Sequence, residues 1–134
     1  MFDALDIGAS GLTVQRTRVD VIAANMANVD TTHDAAGKPN PYRRKFAVIA
    51  AGAPEDHSKP GVHVEAIKDD MGPLNEKYDP TNRDAGPDGY VKTPNVDPAV
   101  EMVNMIEASR AYEANITMMD VTKAMINSSL RLLG

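Results

Sequence analysis

The chain has 134 residues, the length of one ordinary domain, and it carries a net charge of −5 and no cysteine. The lack of cysteine excludes a disulfide framework and any cysteine-based metal site. The mild negative charge is spread along the chain without a basic face, which argues against nucleic acid as the main partner. The sequence also lacks the common catalytic and nucleotide-binding motifs, so a structural or binding protein is favoured over an enzyme.

The first predicted element is a helix from about Asp3 to Val29. Its apolar residues on one side recur every seven positions, and they are Leu5, Leu12, Val19 and Met26. A narrower apolar stripe on nearly the opposite side contains Ile7, Val14 and Val21. A strict seven-residue repeat is typical of a helix that packs against a partner helix with a left-handed supercoil.

Two asparagines near the end of this helix, Asn25 and Asn28, have two interpretations. They either cap a fraying helix end or set the register by hydrogen bonds to a neighbouring subunit, as a buried asparagine does in a coiled coil. The same stretch begins with acidic Asp3 and Asp6, where a secretory signal would be basic, and no apolar segment of membrane-spanning length follows. By ordinary routes such a protein would stay in the cytoplasm, unless a dedicated export machine carries it.

The middle of the chain, residues 30–96, is rich in proline and glycine and poor in large apolar residues. Short strands are predicted at 45–51, 62–69 and 89–93, with half-buried alternation in the second of them, and 73–78 is either a further strand or an extended segment. The basic cluster at 41–45 is interpreted as a solvated loop end with one or two interfacial salt bridges. We therefore expect a discontinuous helical domain formed by 1–29 and 97–134, which carries a loop and β-hairpin insert at 30–96.

The last predicted element is a helix of about 35 residues that begins after Asp97, a good N-cap, with Pro98 at its first position. One apolar row repeats every seven residues and contains Met105, Tyr112, Met119, Ile126 and Leu133, with Met102, Ile116 and Leu130 on the neighbouring row. A second seam contains Ala111, Ala114, Met118, Val121, Met125 and Leu132. The predicted fold is mostly α with a small β insert, and the terminal helices pair as a coiled coil.

No metal or cofactor site is predicted. His33, His57 and His63 lack a spacing typical of shared ligation, and the aspartates of residues 79–89 do not follow the alternating pattern of a calcium loop. Turn chemistry explains those aspartates better.

Four sequence segments identify a resemblance to a known family. ANMANVDTT near the start resembles the motif that opens flagellar rod and hook proteins, and GYVKTPNVDPAVEMVNMIEASRAYEAN resembles the signature of their proximal-rod members. PYRRK and KYDPTNRDA fit the same group. This resemblance implies a subunit that type III export carries unprocessed into the periplasm. There it would join a hollow helical shaft, with its terminal helices forming the inner core.

The resemblance and the two apolar seams together predict contacts with other copies, with other rod proteins and with the export apparatus. The predicted subunit-interface residues are Leu5, Leu12, Val19, Asn25, Met26, Asn28, Met105, Tyr112, Ile116, Met118, Met119, Val121, Met125, Ile126, Leu130 and Leu133. The alternative prediction is a soluble helical hairpin that forms a discrete, closed oligomer with one partner.

Overall fold

A computed structural model describes residues 2–134 of the chain. It contains two long helices, α1 (Phe2–Ala27) and α2 (Pro98–Leu133). Four short strands lie between them: β1 (Lys45–Ala51), β2 (Val62–Asp69), β3 (Asn75–Tyr78) and β4 (Tyr90–Thr93). The predicted architecture of two long terminal helices around a small antiparallel β region is therefore confirmed, whereas the division into two domains stays a prediction.

Helix α2 begins at its expected cap. Asp97 has an extended backbone, and its carboxylate accepts a hydrogen bond from the Ala99 N–H at 3.0 Å. Pro98 occupies the first turn, where its missing N–H leaves no unpaired donor. At the other end the N–H of Gly134 donates to the carbonyl of Leu130 at 3.0 Å, and the helix between these caps has 36 residues.

Helix α1 ends at Ala27, two residues before the predicted end. The side-chain amide of Asn28 donates to the Ala24 carbonyl at 2.8 Å, and its oxygen accepts from the Thr31 hydroxyl at 3.1 Å. Asn28 therefore satisfies polar groups at the helix end, which is the capping role that residues of this type commonly take.

The strands form two separate antiparallel pairs, β1 with β2 and β3 with β4. The first pair runs from Lys45 opposite Asp69 to Ala51 opposite Val62, with a register irregularity between Val48 and Ile49. This hairpin lies against α1, because the Ser10 hydroxyl accepts a hydrogen bond from the Val62 N–H at 3.2 Å. Every residue of β3 is exposed.

The apolar core is thin, as the composition of the middle region predicts. Among the described residues, the fully buried hydrophobic side chains are Val14, Val21, Ile22, Val91, Val96 and Ala108. Three of them lie on α1: Val14 and Val21 belong to the stripe that faces the β1–β2 hairpin, and Ile22 lies beside that stripe. Polar contacts must therefore hold much of the structure together.

Candidate assembly surface

The two long helices pack directly against each other in antiparallel directions. Near one end of the pair, Asn25 of α1 lies 3.3 Å from Glu101 at the start of α2. Near the other end, Gly8 of α1 lies beside Met119. The start of α1 therefore lies beside the C-terminal half of α2, and the end of α1 lies beside the start of α2.

Glycine allows a close approach of the helices in this pair. A Cβ atom added at Gly8 would lie 2.7 Å from the Cγ of Met119, and one added at Gly11 would lie 2.9 Å from the side-chain nitrogen of Asn115. Both distances are shorter than real Cβ contacts. The side chains of Met119 and Asn115 therefore pack directly against the backbone of α1 at these two glycines.

All buried or half-buried residues of α2 share one face. They are Glu101, Asn104, Met105, Ala108, Ala111, Tyr112, Asn115, Met119, Thr122, Ile126 and Ser129. The predicted row of Met105, Tyr112, Met119 and Ile126 belongs to this inner face. Its last predicted member, Leu133, is exposed.

The neighbouring row, which was predicted to pack beside the Met105 row, differs from the prediction. Met102, Ile116 and Leu130 are exposed, and small or polar residues such as Ala108 and Asn115 take the inner positions instead. The physical reason is the orientation of α2: α1 contacts the side of the Met105 row that carries Glu101, Ala108 and Asn115, whereas Met102, Ile116 and Leu130 lie on the other side of that row.

On α1, the predicted row of Leu5, Leu12, Val19 and Met26 is half-buried. The residues with the closest contacts to α2 belong to a neighbouring row, which contains Gly8, Gly11, Arg18 and Asn25. The four apolar residues thus flank the helix pair and keep part of their surface accessible.

The second seam of α2 lies on the surface. Ala114, Met118, Val121, Met125 and Leu132 are all exposed, and only Ala111 is half-buried. Met125 keeps 62% of its surface accessible. A row of apolar side chains at this spacing is typical of a helix that packs against another helix.

The end of α2 extends past α1. With Gly8 beside Met119 and Gly11 beside Asn115, Phe2 lies level with about Ala124. Residues 125–133, about 14 Å of helix, therefore lie beyond the described part of α1. Leu130, Leu132 and Leu133 in this overhang are exposed.

At the opposite end of the helix pair lies a buried polar cluster, formed by Asn25, Tyr42, Arg44, Lys45 and Glu101. Asn25 is completely buried, and its amide nitrogen donates to the Lys45 carbonyl at 2.8 Å and to the Glu101 carboxylate at 3.3 Å. Its oxygen accepts from the Lys45 N–H and from the Tyr42 hydroxyl, both at 2.9 Å. All four hydrogen-bonding positions of the amide are thereby filled within the chain.

The carboxylate of Glu101 is also fully buried, and Arg44 is its charged partner through Nε. The backbone of Arg44 is also held in place, because its N–H donates a hydrogen bond to the Asn95 side-chain oxygen at 2.8 Å. The basic cluster at 41–45 is thus more than a solvated loop end, because one of its arginines neutralises a buried acid of α2. Burial raises the pKa of the Tyr42 hydroxyl in the same cluster.

This geometry changes the role of Asn25. Its burial and its four internal hydrogen bonds leave no surface for another subunit, so we drop Asn25 from the proposed interface. Asn28 caps α1 and is likewise dropped. Tyr42, Arg44 and Glu101 had no signal in the sequence pattern, because their contacts join positions far apart in the chain.

Within residues 2–134, no group of three potential metal-ligating side chains comes together. His57 and His63 do lie together, with stacked rings whose centroids are 3.8 Å apart. The described helices include none that is both long and apolar enough to cross a membrane.

Comparison with known proteins adds the family. A family model described as "Flagella basal body rod protein" matches residues 5–32, and one described as "Flagellar basal body rod FlgEFG protein C-terminal" matches residues 88–132. The chain is 39% identical to the flagellar basal-body rod protein FlgC of Bacillus subtilis, over 98% of this chain and 97% of the relative. It is 39% identical to FlgC of Borreliella burgdorferi over 99% and 97%, and 38% identical to FlgC of Salmonella typhimurium over 98% and 97%.

The chain belongs to the FlgC family of flagellar basal-body rod proteins. It is a structural protein of the basal-body rod. The two ranges matched by the family models cover most of α1 and nearly all of α2, the elements that form the helix pair, together with β4. The β1–β2 hairpin lies outside both matched ranges.

Proposed function

We propose that this FlgC-family chain polymerises through its terminal helices into the hollow proximal rod, and that the polymer transmits torque. The observation that carries the proposal is the exposed second seam of α2 together with the overhang at 125–133. The chain's own α1 covers the inner face of α2 and leaves five of the six residues of the second seam exposed. A surface that is repeated on every copy and met by a different surface generates an open helical polymer when the contacts do not close into a ring.

The proposed contact residues fall into two groups. The first is exposed on α2 and contains Ile116, Met118, Val121, Met125, Leu130 and Leu133. The second is half-buried at the edges of the helix pair and contains Leu5, Leu12, Val19, Met26, Met105, Tyr112, Met119 and Ile126. We propose that the exposed group meets other copies and other rod proteins first, and that the half-buried group completes the coiled-coil packing.

The route to the rod belongs to the same proposal. The chain is carried by the flagellar type III export apparatus without removal of a signal peptide, and it assembles in the periplasm.

The test replaces an apolar residue of the second seam by aspartate. Met125→Asp should abolish polymer formation, because it places a charge in an apolar contact. The circular dichroism of the monomer should stay unchanged, since Met125 is largely exposed. The matched control is Met71→Asp, the same substitution at an exposed position off both helices, which should polymerise like the wild type. Tyr112→Asp is less informative, because Tyr112 is half-buried on the inner face.

Sedimentation separates this proposal from the alternative of a discrete oligomer. Open polymers grow with protein concentration, whereas a helical hairpin with one partner reaches a fixed size. A single closed species at all concentrations, in the presence of the other rod proteins, would contradict the proposed function.

A further inference from the structure

Methionines occupy an unusual place on the exposed face of α2. Met118 and Met125 both lie on the second seam, seven residues apart. Met125 is 62% exposed, and Met118 is 37% exposed with its methyl group near Gly8. By contrast, Met105 and Met119 are half-buried on the inner face, turned to α1. Both methionines of the second seam are therefore partly exposed to solvent before assembly.

From this placement we infer that Met125, with Met118 as a slower second position, is an oxidation site that blocks assembly. The inference rests on the proposed function of the second seam. The reagent class is a peroxide. The thioether sulfur attacks one peroxide oxygen, an S–O bond forms, the O–O bond breaks, and the second oxygen leaves as water with both protons. The sulfur is oxidised by two electrons to a sulfoxide, and the peroxide is reduced.

The consequence follows from the polarity of the product. A flexible apolar side chain becomes a polar sulfoxide with a strong acceptor oxygen. In an apolar helix–helix contact that oxygen would be buried without a donor, which is unfavourable. Oxidation at Met125 therefore acts like a polar substitution in the seam, but it is reversible by methionine sulfoxide reductases.

The chain contains its own reference methionine. Met71, in the loop between β2 and β3, is 76% exposed and lies off both helices. It should oxidise at least as readily as Met125, yet its oxidation should leave assembly unchanged. Met105 and Met119 should be the last to react, because α1 shields them.

The experiment treats the purified full chain with hydrogen peroxide, maps the added oxygen atoms by peptide mass spectrometry, and then measures polymer formation. We expect loss of polymer in proportion to oxidation at Met125. The variant Met118→Leu/Met125→Leu, which conserves volume without sulfur, should polymerise equally well before and after treatment. Met71→Leu should remain as sensitive as the wild type, and reductase treatment should restore the polymer.

Two results would overturn the inference while leaving the proposed function intact: wild-type chains oxidised at Met125 that polymerise normally, or a double leucine variant that loses polymer as readily as the wild type. An untreated wild type that forms no open polymer with its rod partners is a different result. It would overturn the proposed function, and the inference with it.

Discussion

Asn25 joins three parts of the chain through one side chain: the end of α1, the start of β1 and the start of α2. Asn25→Ala would leave the Lys45 backbone groups and the Tyr42 hydroxyl without their buried partner. We expect a loss of about 3 kcal/mol in the free energy of unfolding, because several polar groups become unsatisfied together. Chemical denaturation of the monomeric wild type and variant measures this difference in the free energy of unfolding.

The matched control is Asn28→Ala, three residues along the same helix end. Asn28 makes only local hydrogen bonds at an exposed position. Its replacement should cost no more than about 1 kcal/mol. Equal losses in the two variants would show that the buried polar cluster has no special role.

Tyr42 gives the cluster a dependence on high pH. Burial raises the pKa of its hydroxyl above the usual value of about 10, so the folded state favours the protonated form that donates to Asn25. This contribution is fully present below pH about 10 and is lost as the pH rises through the folded-state pKa. Tyr42→Phe should therefore be less stable than the wild type by about 1 kcal/mol at pH 8.

The stability difference between wild type and Tyr42→Phe should shrink above pH about 10, as measured by denaturation at a series of pH values. Lys45 also has a raised pKa, because of its hydrogen bond to Asp69, but it is present in both proteins and largely cancels in the difference. A difference that stays constant up to pH about 11 would contradict this account.

The sequence contained the residues of this cluster but no sign of their pairing. Arg44 and Glu101 are 57 positions apart, and periodicity reports only on neighbours within one element. Asn25 was singled out because of its position in a helix seam. Its bonding partners depend on how the loop after α1 returns to β1, and local pattern does not determine that path.

At the scale of elements, the helix pair makes a prediction about Gly8. An alanine in the middle of a helix is normally up to about 1 kcal/mol better than glycine. Here the added Cβ would lie 2.7 Å from Met119 Cγ, an atom close to the α2 backbone, so the helices must separate. Gly8→Ala should therefore lower the free energy of unfolding, by about 1 kcal/mol or more, in thermal or chemical denaturation.

Gly11→Ala is the comparison for that measurement. Its added Cβ would meet the terminal amide of Asn115, which can rotate away. We expect a smaller loss than at Gly8, or a small gain from helix propensity. A stabilised Gly8→Ala variant would mean that the helices are not held at this close distance.

The elements themselves were largely predictable. β1 and β2 have the predicted bounds, and α2 begins after the predicted cap, because alternation and capping are local properties. The inner face of α2 was predictable only in part. The row with Tyr112 was found from its spacing, but Met102 and Ile116 were expected beside it because they are large and apolar, whereas α1 contacts the other side of that row, where Ala108 and Asn115 lie.

At the scale of the whole molecule, the overhang predicts uneven stability along α2. Residues 125–133 lie beyond the described part of α1 and only Ile126 and Ser129 among them are half-buried, whereas Ala108 is completely buried. We expect the terminal helices of the monomer to be partly disordered, with fast amide hydrogen exchange over 125–133 and slow exchange near Ala108. Assembly should slow exchange in the overhang. A single cooperative melting of the full helical signal in the monomer, by circular dichroism, would contradict this expectation.

The surface seam shows what a single sequence can indicate about an assembly. Met118, Val121 and Met125 follow a spacing that requires a neighbour, and the structure leaves them exposed. The identity of that neighbour depends on the surface of the partner molecule, so no pattern within this chain can indicate it. Family membership names the assembly, and the spacing is the basis on which its contacts are proposed.

The position of the buried polar cluster has a mechanical consequence. The cluster fixes α2 to the rest of the chain near Glu101, while Met125 lies 24 residues away, about 36 Å along the helix. With a lever arm of that length, a tilt of about 5° at the fixed end displaces the far end by about 3 Å. The polar cluster near Glu101 and the Gly8–Met119 contact farther along α2 would therefore together set how accurately each copy presents residues 125–133 in the proposed assembly.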